Sequence, residues 1–158
     1  MNRNYWFEIV NKLIEKKQTI STMESCTGGG IANEITNISG ASAVIKESYV
    51  TYCNEAKIKH GVPAEVINTY SVYSIETAIE MAKAAKKKAN SNYSIGVTGQ
   101  LGRIDPNNPE EKLNHVWFAI SDEDDNITSK EIVVPSDDRN KQKEYVIKEI
   151  AKELMNTI

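Results

Sequence analysis

Short runs of β-branched and aromatic residues alternate with amphipathic helical stretches along this chain, and strands separated by helices pair most readily in parallel. The first helical stretch carries Tyr5, Trp6, Ile9, Val10, Leu13 and Ile14 at 3.6-residue spacing. "QTISTME" (residues 18–24) then reads as a strand, although Thr19, Ser21 and Met23 are only weakly apolar. From Cys26 to about Asn37 the pattern turns helical, with Ile31, Ala32 and Ile35 on one face. "SYVTYC" (residues 48–53) is rich in strand formers and reads as a second strand. Asn54 is placed to cap the short helix that follows, Gly61 to stop it, and Pro63 to begin another. Ser74 and Thr77 open a long helix. Its apolar side is Ile75, Ala78, Ile79, Ala82 and Ala85, and Lys83, Lys86 and Lys87 fall mainly on the solvated sides.

The second half changes character. "YSIGVTGQLG" is a third strand that ends in glycines, and residues 103–112 form an irregular polar loop with Pro106 and Pro109. "HVWFAIS" is nearly continuously apolar, the pattern of a central strand covered on both faces. The acidic "DEDDN" reads as the tip of a hairpin, and "TSKEIVVP" as its returning fifth strand. Val146, Ile147, Ile150, Ala151, Leu154 and Met155 mark a last amphipathic helix. The order α β α β α(α) α β β β α predicts an α/β fold. It is a three-layer α/β/α sandwich with a mixed, mostly parallel five-stranded sheet, in which residues 1–158 make one domain.

Charge and cysteine usage narrow the function classes. The chain of 158 residues has 19 Lys and Arg against 22 Asp and Glu, a net charge of −3. Direct nucleic-acid binding usually needs a strongly basic surface, so no nucleic-acid partner is expected. No apolar run approaches the ~20 residues of a membrane span, and "MNRNYWFEIVNKL" lacks a signal-peptide core. A cytoplasmic location without a membrane partner is the expectation. Cys26 and Cys53 are too few for a disulfide framework and read as reduced, buried thiols.

Chemistry-bearing residues gather where strands give way to helices. "ESCTGGG" (residues 24–30) puts a carboxylate, two hydroxyls and a thiol before Gly28, Gly29 and Gly30. Ligands of open α/β sheets sit at this carboxyl edge. The amides of Thr27, Gly28 and Gly29 would form the first turn of the helix, ready to hold a phosphate or an oxyanion. Ser25 is there an N-cap, a phosphate ligand or a nucleophile, and the local pattern leaves all three open. The stretch is neither a phosphate-binding P-loop, nor a dinucleotide fingerprint, nor a Gly-x-Ser-x-Gly elbow. No spacing ties His60 or His115 to Ser25, which makes a Ser-His-Asp triad unattractive. A desolvated lysine can replace histidine as base. Lys57 follows the second strand within one helical turn, so it is either that base or a surface lysine. Tyr52 is either a proton relay or a half-buried strand aromatic. Thr98, Gly99 and Gln100 would stand beside the first turn if the first and third strands are neighbours.

In this order, "ESCTGG", "YVTYCNEAK", "IGVTG" and "VWFAI" resemble the C-terminal domain of the competence and damage-inducible CinA family, over nearly the whole chain. The resemblance is to the stand-alone members, which are nicotinamide mononucleotide deamidases. It implies hydrolysis of the carboxamide of nicotinamide mononucleotide to nicotinic acid mononucleotide and ammonia, in pyridine-nucleotide salvage, with no metal or other cofactor. Carried over by motif, Ser25 is the nucleophile, Lys57 its base and Tyr52 a helper. Thr27, Gly28, Gly29, Thr98, Gly99 and Gln100 fall at the substrate or phosphate site. "DDRNKQ" resembles a "GDR" run of the family, which makes Arg139 a residue for the substrate phosphate. A homo-oligomer is a further expectation from the family.

The chain also departs from that pattern. The family runs from "VTG" into a glycine- and proline-rich loop, where this chain reads "QLGRIDPNNPEEKLNH". Asn114 stands where the family has a glycine before the fourth strand, and "YSVYS" replaces an "HG" pair before the long helix. Two other readings therefore stay open: a nucleotide- or phosphate-binding domain without turnover, and an interaction module linked to competence or DNA damage.

Overall fold

The computed structural model describes residues 3–107 and 112–158, so Pro109 of the polar loop lies outside the described residues. The strands are β1 (Ile20–Glu24), β2 (Ile45–Val50), β3 (Tyr93–Gly99), β4 (His115–Ser121) and β5 (Ile127–Val133), in the sheet order β2-β1-β3-β4-β5. β1 pairs in parallel with both β2 and β3, and β3–β4 and β4–β5 are antiparallel. Four strands therefore point one way and β4 the other. The "DEDDN" tip is a tight turn: Asp122 Oδ1 accepts from the amides of Asp124 and Asn126, both at 2.9 Å.

Among the described residues six α-helices flank the sheet: α1 (Tyr5–Lys16), α2 (Gly30–Thr36), α3 (Asn54–Lys59), α4 (Ala64–Tyr70), α5 (Ile75–Ala89) and α6 (Arg139–Met155). Capping residues set their ends. Asn4 accepts from the Phe7 amide to start α1, and Ser74 from the Thr77 amide to start α5. Lys17 and Asn90 close the same helices in the left-handed conformation.

The period of two along the central strands sorts side chains into two cores. Tyr93, Ile95 and Val97 of β3 and Val116, Phe118 and Ile120 of β4 face α1, α2 and α6. Trp117, Ala119 and Met23 face α4 and α5. Burying each large aliphatic side chain contributes roughly 1.5–3 kcal/mol, so both faces need their helices. The α5 side is packed through small residues. A Cβ on Gly96 would sit 2.4 Å from the Ala78 carbonyl oxygen and the Ala82 amide nitrogen, so only glycine lets α5 lie this close. The Ser94 hydroxyl adds a bond to the Ala82 carbonyl at 2.6 Å.

Four local expectations are corrected. The second strand ends at Val50, and Thr51, Tyr52 and Cys53 lie beyond it. Thr51 N donates to Glu24 O at 2.9 Å as the last rung of the pairing, and the chain then turns into α3 with Cys53, not Asn54, at the cap position. The helix expected from Cys26 begins at Gly30, after an irregular turn in which Gly28 and Gly29 have positive φ. Of the two thiols expected to be buried, Cys26 is buried and Cys53 is exposed. Among the described residues, no helix is long and apolar enough to cross a membrane.

Candidate active site

β1 lies between β2 and β3, so its carboxyl end is the one point that touches the turns following both neighbours. The Ser25 amide donates to Val97 O of β3 at 3.1 Å, and Glu24 O accepts from Thr51 N after β2 at 2.9 Å. These two bonds fix Ser25 at the edge and bring α3 beside it. Lys57, the fourth residue of α3, points inward. Its Nζ donates to Ser25 Oγ at 3.1 Å and to Thr51 O at 2.7 Å. Ser25 is 8% exposed and Lys57 1%. Sequence reasoning placed both at the carboxyl edge, and the structure joins them.

Burial decides the electrostatics. Desolvation pulls the Lys57 ammonium down to about 8, against the upward pull of Cys26, Cys53 and Asp105. An amine with that affinity for protons exchanges them near neutral pH. The neighbouring Cys26 is affected in the opposite sense: burial pushes its thiol up to about 12. Cys26 is thus a neutral thiol beside the serine and no rival nucleophile.

Glu24 underlies the turn. Its carboxylate is fully buried. Oε1 accepts from the Thr27 hydroxyl at 2.7 Å and the Ile31 amide at 2.8 Å. Oε2 accepts from the Thr22 hydroxyl and the Ala32 amide, both at 3.0 Å. Glu24 thus caps α2 from beneath through the Ile31 and Ala32 amides, and does not engage the Thr27, Gly28 and Gly29 amides expected to form a cradle. The Gly28 amide is engaged by Ser25 O at 2.9 Å. Among the described residues, the amides of Cys26 and Thr27 make no backbone–backbone hydrogen bond.

A cleft of about 210 Å³ opens over Ser25. Cys26, Tyr52, Tyr73, Gly99, Gln100 and Arg139 line it, together with Leu101 and the stretch Arg103–Pro106. Tyr52 is 61% exposed, and its hydroxyl accepts from Arg139 Nη2 at 3.0 Å. Among the described residues no hydrogen bond joins Tyr52 to Ser25 or Lys57, so Tyr52 belongs to the rim. Thr98 is buried, and its hydroxyl is turned to the Val72 carbonyl at 3.0 Å. Gly99 and Gln100 reach the cleft, and a Cβ on Gly99 would sit 2.7 Å from His115 O. His115 pairs with Glu131 at 2.8 Å, and the His60 ring lies 5.6 Å from that of Tyr49.

Several residues of the site escaped the sequence reading. Asp105 accepts from the Tyr73 hydroxyl at 2.7 Å, and Arg103 joins Arg139 on the cleft wall. Asn114 holds φ +64, the left-handed region that asparagine tolerates better than most residues. Its Oδ1 accepts from Gln142 Nε2 at 2.9 Å and from the Gly102 amide at 3.2 Å. This bolts α6 to the loop that follows β3. A polar residue at 142, in line with Val146 and Ile150, is the signal that could have revealed Gln142.

Fold and cleft together define a three-layer α/β domain with a buried serine–lysine pair at the carboxyl edge of its sheet. The family model described as "CinA C-terminal domain" matches residues 4–158, and the chain belongs to that family. Its relatives include a CinA-like protein of Flavobacterium psychrophilum, 44% identical over 117 residues, covering 72% of this chain and 27% of the relative. Another is a CinA-like protein of Kosmotoga olearia, 40% identical over 113 residues, covering 71% and 27%. The chain thus spans about a quarter of the length of these curated relatives. Among solved structures, the competence/damage inducible protein CihA from Agrobacterium tumefaciens superposes with a TM-score of 0.89 at 27% identity, over 99% of this chain and 97% of that one. A CinA superfamily protein from Escherichia coli gives 0.89 at 25% identity, over 98% and 89%.

Proposed function

We propose that the domain hydrolyses the carboxamide of nicotinamide mononucleotide, releasing ammonia and nicotinic acid mononucleotide. The observation that carries the reading is the 3.1 Å contact between Lys57 Nζ and Ser25 Oγ, with the lysine desolvated to about 8. Neutral Lys57 takes the hydroxyl proton as Ser25 Oγ attacks the amide carbon. The Thr51 carbonyl, at 2.7 Å, keeps the amine aimed and stabilises the ammonium that forms. The amides of Cys26 and Thr27 are the available donors for the tetrahedral oxyanion. The carbon–nitrogen bond then breaks, Lys57 returns its proton to the leaving nitrogen, and ammonia departs. Water, deprotonated by the same amine, hydrolyses the ester on Ser25 and restores both groups. Arg139, oriented by Tyr52, supports a phosphate-bearing substrate, since a guanidinium fork can hold two phosphate oxygens.

The test is ammonia release from nicotinamide mononucleotide by the purified protein. Ser25→Ala and Lys57→Ala are each expected to lower turnover by about three orders of magnitude or more. No turnover by the native protein would remove the reading. Turnover that survives both substitutions would remove the mechanism.

A further inference from the structure

Among the described residues, Asp105 is the one carboxylate on the wall of the cleft over Ser25, and it shares that wall with Arg103 and Arg139. The carboxylate is held from two sides. Its Oδ2 accepts from the Tyr73 hydroxyl at 2.7 Å and its Oδ1 from the Asn107 amide at 2.9 Å. Tyr73 is itself anchored. It is buried in the core beneath α5, and its carbonyl accepts from Lys112 Nζ at 2.9 Å. The Tyr73–Asp105 bond joins the two segments in which the chain departs from the family pattern, "YSVYS" and the loop "QLGRIDPNNPEEKLNH". Asp105 is half-buried, and its charge reaches the serine–lysine pair, since it is one of the groups that draw the Lys57 ammonium upward.

A wall built only to receive an anion gains nothing from a fixed carboxylate, which repels it. The substrate of the reading above carries both signs. Its phosphate is an anion, its pyridinium ring is a cation, and the reacting carboxamide is attached to that ring. The ring charge therefore stands close to Ser25 whenever the carboxamide reaches Oγ.

We infer that Asp105, positioned by Tyr73, is a specificity residue that selects a cationic pyridinium ring over a neutral one. This rests on the nicotinamide mononucleotide reading and deepens it by naming ring charge as the property read. Facing a cation, a half-buried carboxylate gains Coulomb energy; facing a neutral ring it only loses water. Tyr73 holds the charge in place before the ligand arrives, so that less ordering remains to be done on binding.

The probes are nicotinamide mononucleotide, whose ring is cationic, and its reduced dihydro form, whose ring is neutral and whose carboxamide, ribose and phosphate are the same. Both are titrated into Ser25→Ala, which leaves the ligand unreacted, and into Ser25→Ala carrying Asp105→Asn or Tyr73→Phe as well. The readout is the ratio of the two affinities, because a residue that merely shapes the loop would lower both alike. Asparagine keeps an acceptor for the Asn107 amide, and Tyr73→Phe keeps the carboxylate, so two independent variants bear on the point. Ser25→Ala is expected to favour the cationic form by about tenfold or more, Asp105→Asn to bring the ratio within about twofold of one, and Tyr73→Phe to fall between. No binding, no preference in Ser25→Ala, or a preference kept in Asp105→Asn overturns the inference, and a preference kept in Tyr73→Phe overturns the part played by Tyr73. The titration needs no turnover. A native protein that releases no ammonia, while the ratio responds to Asp105, loses the amidohydrolase reading and keeps the inference. One that deaminates the mononucleotide with a ratio indifferent to Asp105 does the reverse.

Discussion

Lys57 Nζ stands between two oxygens, Ser25 Oγ at 3.1 Å and the Thr51 carbonyl at 2.7 Å, in a site where Lys57 is 1% exposed. The carbonyl favours the ammonium and burial favours the amine, and burial wins, which leaves the group at about 8. The working form is the amine. Turnover should therefore rise about tenfold per pH unit below 8 and level off above it. A profile of kcat/KM from pH 6 to 10 checks this, and a rate that falls as pH rises toward 8 would contradict it.

The same depression costs stability. In the unfolded chain Lys57 binds its proton up to about 10.5, whereas the folded protein releases it from about 8. Between those values the unfolded state holds more protons, so folding stability is expected to increase with pH across that window. Lys57→Met removes the buried charge but leaves the Thr51 carbonyl without its donor. At pH 7 the net expectation is a gain of about 1–2 kcal/mol with complete loss of turnover. Denaturant midpoints at pH 7 and pH 10 measure it: the advantage of the methionine variant should shrink at the higher pH.

Glu24 accepts four hydrogen bonds and donates none. Glutamine would keep the shape and turn an NH2 group against an amide N–H on whichever side it faces. Glu24→Gln is expected to lose about 2–4 kcal/mol, more than its small change in volume would suggest. Because Ser25 is the next residue, kcat should drop with it. Thermal unfolding and steady-state kinetics on one preparation give both numbers.

Asn114 combines a backbone role with a side-chain role. Asn114→Gly keeps the positive φ and loses the acceptor for Gln142, for an expected cost of about 1 kcal/mol. Asn114→Leu loses the acceptor and adds left-handed strain of about 1–2 kcal/mol. Urea unfolding should rank them native, glycine, leucine. A leucine variant as stable as the glycine variant would refute the backbone part.

Much of the architecture was legible because apolar period is a local property. "HVWFAIS" announces a strand covered on both faces, and the last helix shows its stripe from Val146 to Leu154. The second strand was misplaced toward Tyr52 because Thr51 and Tyr52 are strand formers by type. Thr51 N still donates to Glu24 O as the last rung beside the Glu24–Val50 pair, and where the ladder ends is set by the length of β1, which propensity along β2 does not show. Ser25 and Lys57 could be nominated from position, but their contact depends on β1 lying between β2 and β3, which is a matter of topology. Glu24 was read beside Ser25 as one more polar group. That it faces down into the helix start, and Ser25 up into the cleft, follows from strand alternation at a boundary the sequence put four residues too early for α2.

The two bonds that pin the end of β1, Ser25 N to Val97 O and Thr51 N to Glu24 O, have a consequence for folding quality. A slip of one residue between β1 and β2 would displace the start of α3 by about 3.3 Å and exchange the faces of β2. Either change would carry Lys57 out of reach of Ser25, while helix and strand content stayed nearly constant. Circular dichroism would score such a mispaired chain as folded, and only the reaction at Ser25 would tell the two apart. The serine–lysine contact is in this sense a gauge of sheet registry, sensitive to an error of a single rung.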